Sequence, residues 1–274
     1  MKNLVWLASY PKSGNTWTRI FLANYVFNAQ SPVPINEVHR LGIGDSVAKA
    51  YLMVGGPGTD LTDGPAMLKL RPRVLRGIAA NGADLNFVKT HNIRDHAMGT
   101  ELIPTPMTRS AVYILRDPRD VAVSYARHYD MTPEDAAAAI GRDDNTILGG
   151  PGGVPQYLGS WSRHVERWTE RPPFPVLSLR YEDLQADPEA HFARLLEHIG
   201  FPVEAERLAR AVRFSDFDEL TRQESRSGFI EKSASSERFF HTGKAGQWRD
   251  VLSADSVAAL EARHGRLMRR HGYL

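Results

Sequence analysis

Several polar groups in this chain directly follow short apolar runs, and their side chains suit the handling of phosphate and of one proton. The first is Lys12-Ser13-Gly14-Asn15-Thr16, which follows the apolar run 4–7 and leads into Trp17, Ile20, Phe21 and Phe27 at helical spacing. In a strand–turn–helix layout, successive backbone N–H groups converge on an anion and the helix end adds partial positive charge. Lys12 adds a full charge, while Ser13 and Thr16 add hydroxyl donors. The common nucleotide loop, G-x-x-x-x-G-K-[ST], places its lysine after the glycines and its Ser/Thr on Mg²⁺. Here Lys12 precedes a single Gly14, and an ordinary βα turn is the plain alternative.

The remaining groups are Lys89-Thr90-His91, Arg116 with Ser124, and Tyr181. His91 has a side chain whose usual pKa suits general-base work near neutral pH. Arg116 presents the guanidinium fork that binds phosphate bidentately, and Ser124 stands beside it on the next predicted helix. Tyr181, Trp17 and Phe217 offer flat rings for a base. The acids Asp117, Asp120, Glu182 and Asp183 look like helix caps and first-turn residues, so no Mg²⁺ cluster is expected. Two phosphate sites, no metal and a histidine base together suggest transfer of a group already activated on a nucleotide. Taken singly, each residue has a plainer reading: His91 a strand-end histidine, Arg116 a solvated turn, Phe217, Trp161 and Trp168 core.

The elements that must position these groups alternate between strands and helices. Strands are predicted at 4–7, 85–91, 111–115 and 176–179. The run 111–115 is apolar throughout, as in a parallel strand buried on both faces. Asp117-Pro118 supplies an N-cap and a first-turn proline for a helix over 121–129. Further helices are predicted over 45–54, 67–80 (with Pro72 at a kink or boundary), from 132, and over 157–171, 188–199, 203–213, 215–223 and 254–271. The stretches 31–45 and 141–155 read as irregular. This pattern predicts an α/β fold, a single domain over 1–274 with a mostly parallel central sheet flanked by helices. Parallel sheets bind ligands at the carboxyl ends of their strands. That rule brings Lys12, Lys89, His91, Arg116 and Tyr181 together.

Composition narrows the function classes. The chain has 274 residues, 42% hydrophobic and 24% charged, with a net charge of +2. Such a balance gives no nucleic-acid or polybasic membrane footprint. With no cysteine, disulfides, thiolate metal sites and a cysteine nucleophile are excluded. No run approaches the length of a membrane span, and the N-terminus leaves no room for a signal peptide, so a cytoplasmic protein is expected.

The motifs YPKSGNTW (10–17), VKTH (88–91), LRDPRDVAVSY (115–125), RYEDL (180–184), SDFDEL (215–220) and FFHTGKAGQW (239–248) resemble, in family order, those of the cytosolic-type sulfotransferases. The resemblance implies 3′-phosphoadenosine-5′-phosphosulfate (PAPS) as co-substrate, adenosine 3′,5′-bisphosphate as product and no metal. It makes 10–17 a P-loop-like phosphosulfate-binding loop: Lys12 on the 5′-phosphate and bridging oxygen, Ser13, Gly14, Asn15 and Thr16 cradling the phosphate, Trp17 near adenine. Arg116 and Ser124 would bind the 3′-phosphate, and Tyr181, Ser215 and Phe217 the adenosine. His241, Thr242 and Gly243 belong to the motif that closes over the nucleotide. His91 would take the acceptor's proton, with Lys89 and Lys12 stabilising charge on the transferring group. The family usually has Arg-Lys where this chain has His241-Thr242, leaving Arg238 or Lys244 as a replacement cation. Its dimerisation motif is not recognisable at 249–261, so the oligomeric state stays open.

The expected acceptor is a small molecule with a hydroxyl or amine, of phenolic, lipid-like or natural-product type. It would be met by loops at 32–66, 130–157 and 225–240 that carry Tyr51, Leu52, Met53, Tyr129, Met131, Tyr157 and Phe229. The long irregular segment 225–247 reads as a lid that orders on the 3′-phosphate. A P-loop kinase or NTPase and a non-catalytic nucleotide-binding protein are the alternatives.

Overall fold

The structure is a computed structural model that describes residues 2–233 and 236–274. The chain opens with β1 (Leu4–Ser9), buried along its whole length, and turns directly into α1 (Asn15–Val26). A 3₁₀ turn at Ile35–Arg40 leads to the short strand β2 (Gly42–Gly44). Helices α2 (Ala48–Gly55) and α3 (Gly64–Ala79) precede β3 (Asn86–Thr90). A two-residue hairpin, β4 (His96–Ala97) with β5 (Thr100–Glu101), comes before β6 (Thr108–Leu115). Then follow α4 (Pro118–Tyr129), α5 (Pro133–Gly141), β7 (Thr146–Ile147), β8 (Gln156–Tyr157), α6 (Trp161–Thr169) and β9 (Val176–Arg180). Among the described residues six helices follow: α7 (Tyr181–Ala186), α8 (Pro188–Ile199), α9 (Ala205–Arg213), α10 (Phe217–Ser227), α11 (Trp248–Val251) and α12 (Ala254–Arg270).

The fold is α/β, and among the described residues its central sheet has five strands in the order β2-β3-β1-β6-β9. Strand β3 pairs in parallel with β1, from Leu4↔Asn86 to Ala8↔Thr90, and with β2 on its other side. Strand β2 lies in a stretch whose prolines and glycines read as irregular. Its pairing depends on Gly42, where a Cβ would stand 2.2 Å from the Phe87 carbonyl oxygen.

The chain divides into two compact units: Met1–Tyr10, Gly42–Tyr113 and Gly141–Ser178; and Pro11–Leu41, Ile114–Ile140 and Leu179–Leu274. In the first unit β1 is the centre, and Trp6 Nε1 donates to Thr108 Oγ1 at 2.9 Å. In the second, α1 is the centre: the ring of Phe21 stacks on Phe192 at 3.8 Å, and Tyr25 Oη donates to the Pro202 carbonyl. A second apolar cluster there joins Ile20, Ile35, Val38, Leu220, Phe229 and Phe240.

The course of the chain at Pro72 and the start of the helix after 157 differ from the sequence reading. Helix α3 runs through Pro72 unbroken, because Met67, Leu68, Arg71, Val74, Leu75 and Ile78 are buried on both sides of the proline. Packing there outweighs one lost helix bond. Helix α6 starts at Trp161 instead of near 157, because Gln156–Tyr157 pair with Thr146–Ile147. The Ser160 side chain then caps the helix by accepting from the Arg163 N–H. The lid segment 225–247 includes Ala234 and Ser235, which lie outside the described residues; its first three residues belong to α10.

Candidate active site

In the second unit, the loop after β1 has an unusual backbone. Lys12 and Gly14 both lie in the left-handed region, with φ of 68° and 105°, on either side of Ser13. Alternation of this kind turns consecutive N–H groups to one side and makes an anion-binding nest. Gly14 is also the N-cap of α1 and has no side chain to satisfy the helix's first N–H groups. Ser13 is buried, and its hydroxyl has no hydrogen-bond partner among the described residues. Nest, uncapped helix start and orphaned hydroxyl are what a phosphate oxygen would satisfy. Gly14 permits close packing as well, since a Cβ there would lie 2.8 Å from the Tyr181 ring.

Arg116 links the parts of this unit. Its guanidinium donates to the Lys12 carbonyl and to the Lys244 carbonyl, each at 3.2 Å, and lies 4.3 Å from the centre of the Tyr181 ring. Tyr181 is buried, which raises its pKa against the opposing effect of Arg116, so it remains a phenol. Its hydroxyl donates to the Gly243 carbonyl at 3.0 Å, and the Gln185 amide donates to the same oxygen. Trp17 meets the Tyr181 ring edge-on at 5.8 Å. Gly243, at φ 60°, sits so close to Phe217 that a Cβ would be 2.3 Å from its ring. The structure therefore brings Lys12, Gly14, Trp17, Arg116, Tyr181, Phe217 and Gly243 into one connected group.

Of the other expected residues, Ser215 and Thr16 are already engaged by protein groups. Ser124 is half-buried on α4. Ser215 is fully buried, and its hydroxyl is directed to the carbonyls of Ala211 and Val212. Thr16 donates to the Glu231 carboxylate at 3.1 Å, which also pairs with Arg19 at 2.8 Å. Asn15 is buried at the start of α1. His241 and Thr242 are exposed. Loss of hydration, followed by the positive charge of Arg127, lowers the pKa of His241 and disfavours its charged form. Lys12 Nζ lies 4.1 Å from the centre of the Phe239 ring, a cation–π contact.

Two acids given no site role from the sequence hold the glycine-rich segment and the residues before it. Asp120, buried on α4, accepts from the N–H groups of Gly246 at 2.6 Å and Trp248 at 3.1 Å. Glu224 accepts from the N–H groups of Phe239 and Phe240. In sequence, both acids look like ordinary helix residues, and only the contact shows that they bind loop backbone.

In the first unit, Lys89 and Thr90 end β3 and His91 follows. His91 Nδ1 donates to the Ser9 carbonyl at 2.9 Å and lies 3.2 Å from the Ser9 hydroxyl. The carbonyl can only accept, so the neutral imidazole is held as the Nδ1–H tautomer with its lone pair on Nε2. The carbonyl of His91 is held as well. His164 Nε2 donates to it at 3.0 Å, while His164 Nδ1 accepts from Tyr113 at 2.8 Å. Burial lowers the pKa of His164 to about 3, so it is neutral, as these two bonds require. No group of His, Cys, Asp and Glu that could hold a metal occurs among the described residues.

A sulfotransferase domain family model matches residues 2–272. The chain belongs to the sulfotransferase domain family. Sulfotransferase 1A1 of Bos taurus is 27% identical over 275 residues, covering 96% of this chain and 82% of the relative. Cytosolic sulfotransferase 17 of Arabidopsis thaliana is 23% identical and covers 94% of this chain and 72% of its own. The sulfotransferase fold is shared with retinol dehydratase in complex with androsterone and inactive cofactor PAP. That match has a TM-score of 0.65 at 20% identity, covering 97% of this chain and 80% of that one. A mouse sulfotransferase complexed with PAP matches at a TM-score of 0.62 and 19% identity, covering 98% and 84%. No helix among the described residues of this sulfotransferase is long and apolar enough to cross a membrane.

Proposed function

We propose that this chain is a PAPS-dependent sulfotransferase that transfers a sulfuryl group to a hydroxyl of a small apolar acceptor. The observation that carries the reading is the left-handed Lys12-Ser13-Gly14 turn, with its buried, unpartnered Ser13 hydroxyl at the uncapped start of α1. When bound, PAPS supplies a sulfuryl group on a phosphate leaving group. Ser13, Gly14, Asn15 and Thr16 would hold the 5′-phosphate, and Lys12 and Lys89 would place cations where charge develops. Arg116 and Ser124 would hold the 3′-phosphate. Trp17, Tyr181, Ser215 and Phe217 would receive the adenosine, and His241, Thr242 and Gly243 would cover it. His91, as the Nδ1–H tautomer, would accept the acceptor's proton at Nε2.

The unbroken match of one family model over 2–272 supports treating the whole chain as one sulfotransferase domain. Its relative in Arabidopsis is named a cytosolic sulfotransferase, and we assign this chain to the cytoplasm on that likeness. An apolar acceptor is supported by the composition of the candidate loops and by the androsterone bound to the solved retinol dehydratase. Tyr51 is buried against Arg71 and Phe229 lies in an apolar cluster, which counts against these two as acceptor contacts.

Calorimetry should show adenosine 3′,5′-bisphosphate binding more tightly than ADP with Mg²⁺; the reverse order would favour a P-loop kinase or NTPase. Turnover of PAPS with a panel of phenols, hydroxylated lipids and glycosides then identifies the acceptor. A lack of turnover with every class would favour a non-catalytic nucleotide-binding role.

A further inference from the structure

A buried carboxylate lies one residue beyond β2, where the sequence reads as loop. Asp45 is 1% exposed, and its N–H donates to the Lys89 carbonyl at 3.0 Å, extending the β2–β3 pairing by one step. Its counter-charge is Arg71, 2% exposed, at 2.5 Å. Arg71 stays charged: burial lowers its pKa, but Asp45 and Tyr51 together raise it by more. A buried carboxylate with one cation still needs donors for its other lone pairs. Oδ2 receives them from the hydroxyl of Thr90 at 2.7 Å and the amide of Asn92 at 3.0 Å. Thr90 and Asn92 are the two neighbours of His91 in the chain.

We propose that Asp45 is a positioning residue for His91, acting through Thr90 and Asn92; the proposal rests on His91 being the base. Neutralising Arg71 alone would not require these particular donors. The Thr90 oxygen also accepts from the Asn92 N–H at 3.0 Å, so side chain and backbone close a tight turn across His91. With residues 90 and 92 tied to one carboxylate, the Cα–Cβ bond of His91 has little freedom. The ring is thereby kept where Nδ1 reaches the Ser9 carbonyl and Nε2 carries the lone pair.

The test uses Thr90, because Asp45→Asn would leave Arg71 buried without a counter-charge and endanger folding. Thr90→Val removes the hydroxyl at nearly constant volume, and Thr90→Ser restores it. Ring ¹⁵N shifts of His91 in the free enzyme should move, in Thr90→Val, from the Nδ1–H tautomer toward the average of the two tautomers. The kcat should fall at least tenfold, with the Kd for adenosine 3′,5′-bisphosphate changed less than twofold, and Thr90→Ser should recover both ring shifts and kcat. Unchanged ring shifts in Thr90→Val, or no recovery in Thr90→Ser, would overturn the positioning role. His91→Gln is assayed beside them: full activity there would end the base assignment, whereas the ring shifts test the Asp45 tether on their own.

Discussion

His91 Nδ1 donates to the carbonyl oxygen of Ser9, 2.9 Å away and only three residues before Lys12 in the chain. The bond selects one tautomer of the imidazole, and a base must have the right nitrogen unprotonated as well as the right pKa. The end of β1 thus has two tasks: it leads into the Lys12 loop and it orients the candidate base.

His91→Gln should lower kcat by roughly 10² to 10⁴, the usual contribution of a general base, while nucleotide affinity stays within about twofold. Steady-state kinetics with a poorly acidic alcohol, paired with calorimetry, checks both halves. A phenol acceptor of low pKa should lose less rate, because it needs less help in giving up its proton.

Arg116→Lys should weaken adenosine 3′,5′-bisphosphate more than adenosine 5′-phosphate. Lysine keeps the charge but loses the fork that spans the Lys12 and Lys244 carbonyls. A charge-assisted hydrogen bond contributes about 1.5–3 kcal/mol, so the difference between the two nucleotides should shrink by roughly tenfold to a hundredfold. Equal losses for both nucleotides would take Arg116 away from the 3′-phosphate.

Asp120→Ala should loosen the glycine-rich segment without touching the Lys12 loop. The N–H groups of Gly246 and Trp248 lose their acceptor, at a cost of about 1–3 kcal/mol if they stay unsatisfied. Limited proteolysis around 238–249 should be faster than in the wild type. Protection by adenosine 3′,5′-bisphosphate should need higher nucleotide concentrations.

His164 gives stability a pH dependence of known sign. Its folded pKa, about 3, lies below the ordinary 6.5, so the unfolded chain binds the extra proton first as pH falls. Its contribution is complete above about pH 6.5 and declines from there toward pH 3, by about 1.4 kcal/mol per pH unit. Urea unfolding at pH 7, 6, 5 and 4 should show a shallower decline in His164→Gln than in the wild type. Parallel declines would mean that the ring is not kept neutral in the folded protein.

The sequence by itself determined the local elements and the identity of the chemically capable residues. Lys12-Ser13-Gly14 between an apolar run and a helical pattern already specifies a βα turn. Asp117-Pro118 specifies a helix start, and the structure places an N-cap at Asp117, whose side chain accepts from the Arg119 N–H. These signals are legible because each depends on residues within one turn of the chain. Tertiary structure decided the rest. Strand β2 exists because Gly42 lets two backbones approach, and α3 passes Pro72 because burial on both sides of it outweighs a missing N–H. Asp45 and Asp120 read in sequence as a loop residue and a first-turn acid. Asp45 meets Arg71, Thr90 and Asn92 from 26, 45 and 47 residues away, and Asp120 meets its donors from 126 and 128. A carboxylate's role is set by whichever donors burial brings to it, and local spacing carries no record of contacts made across such distances.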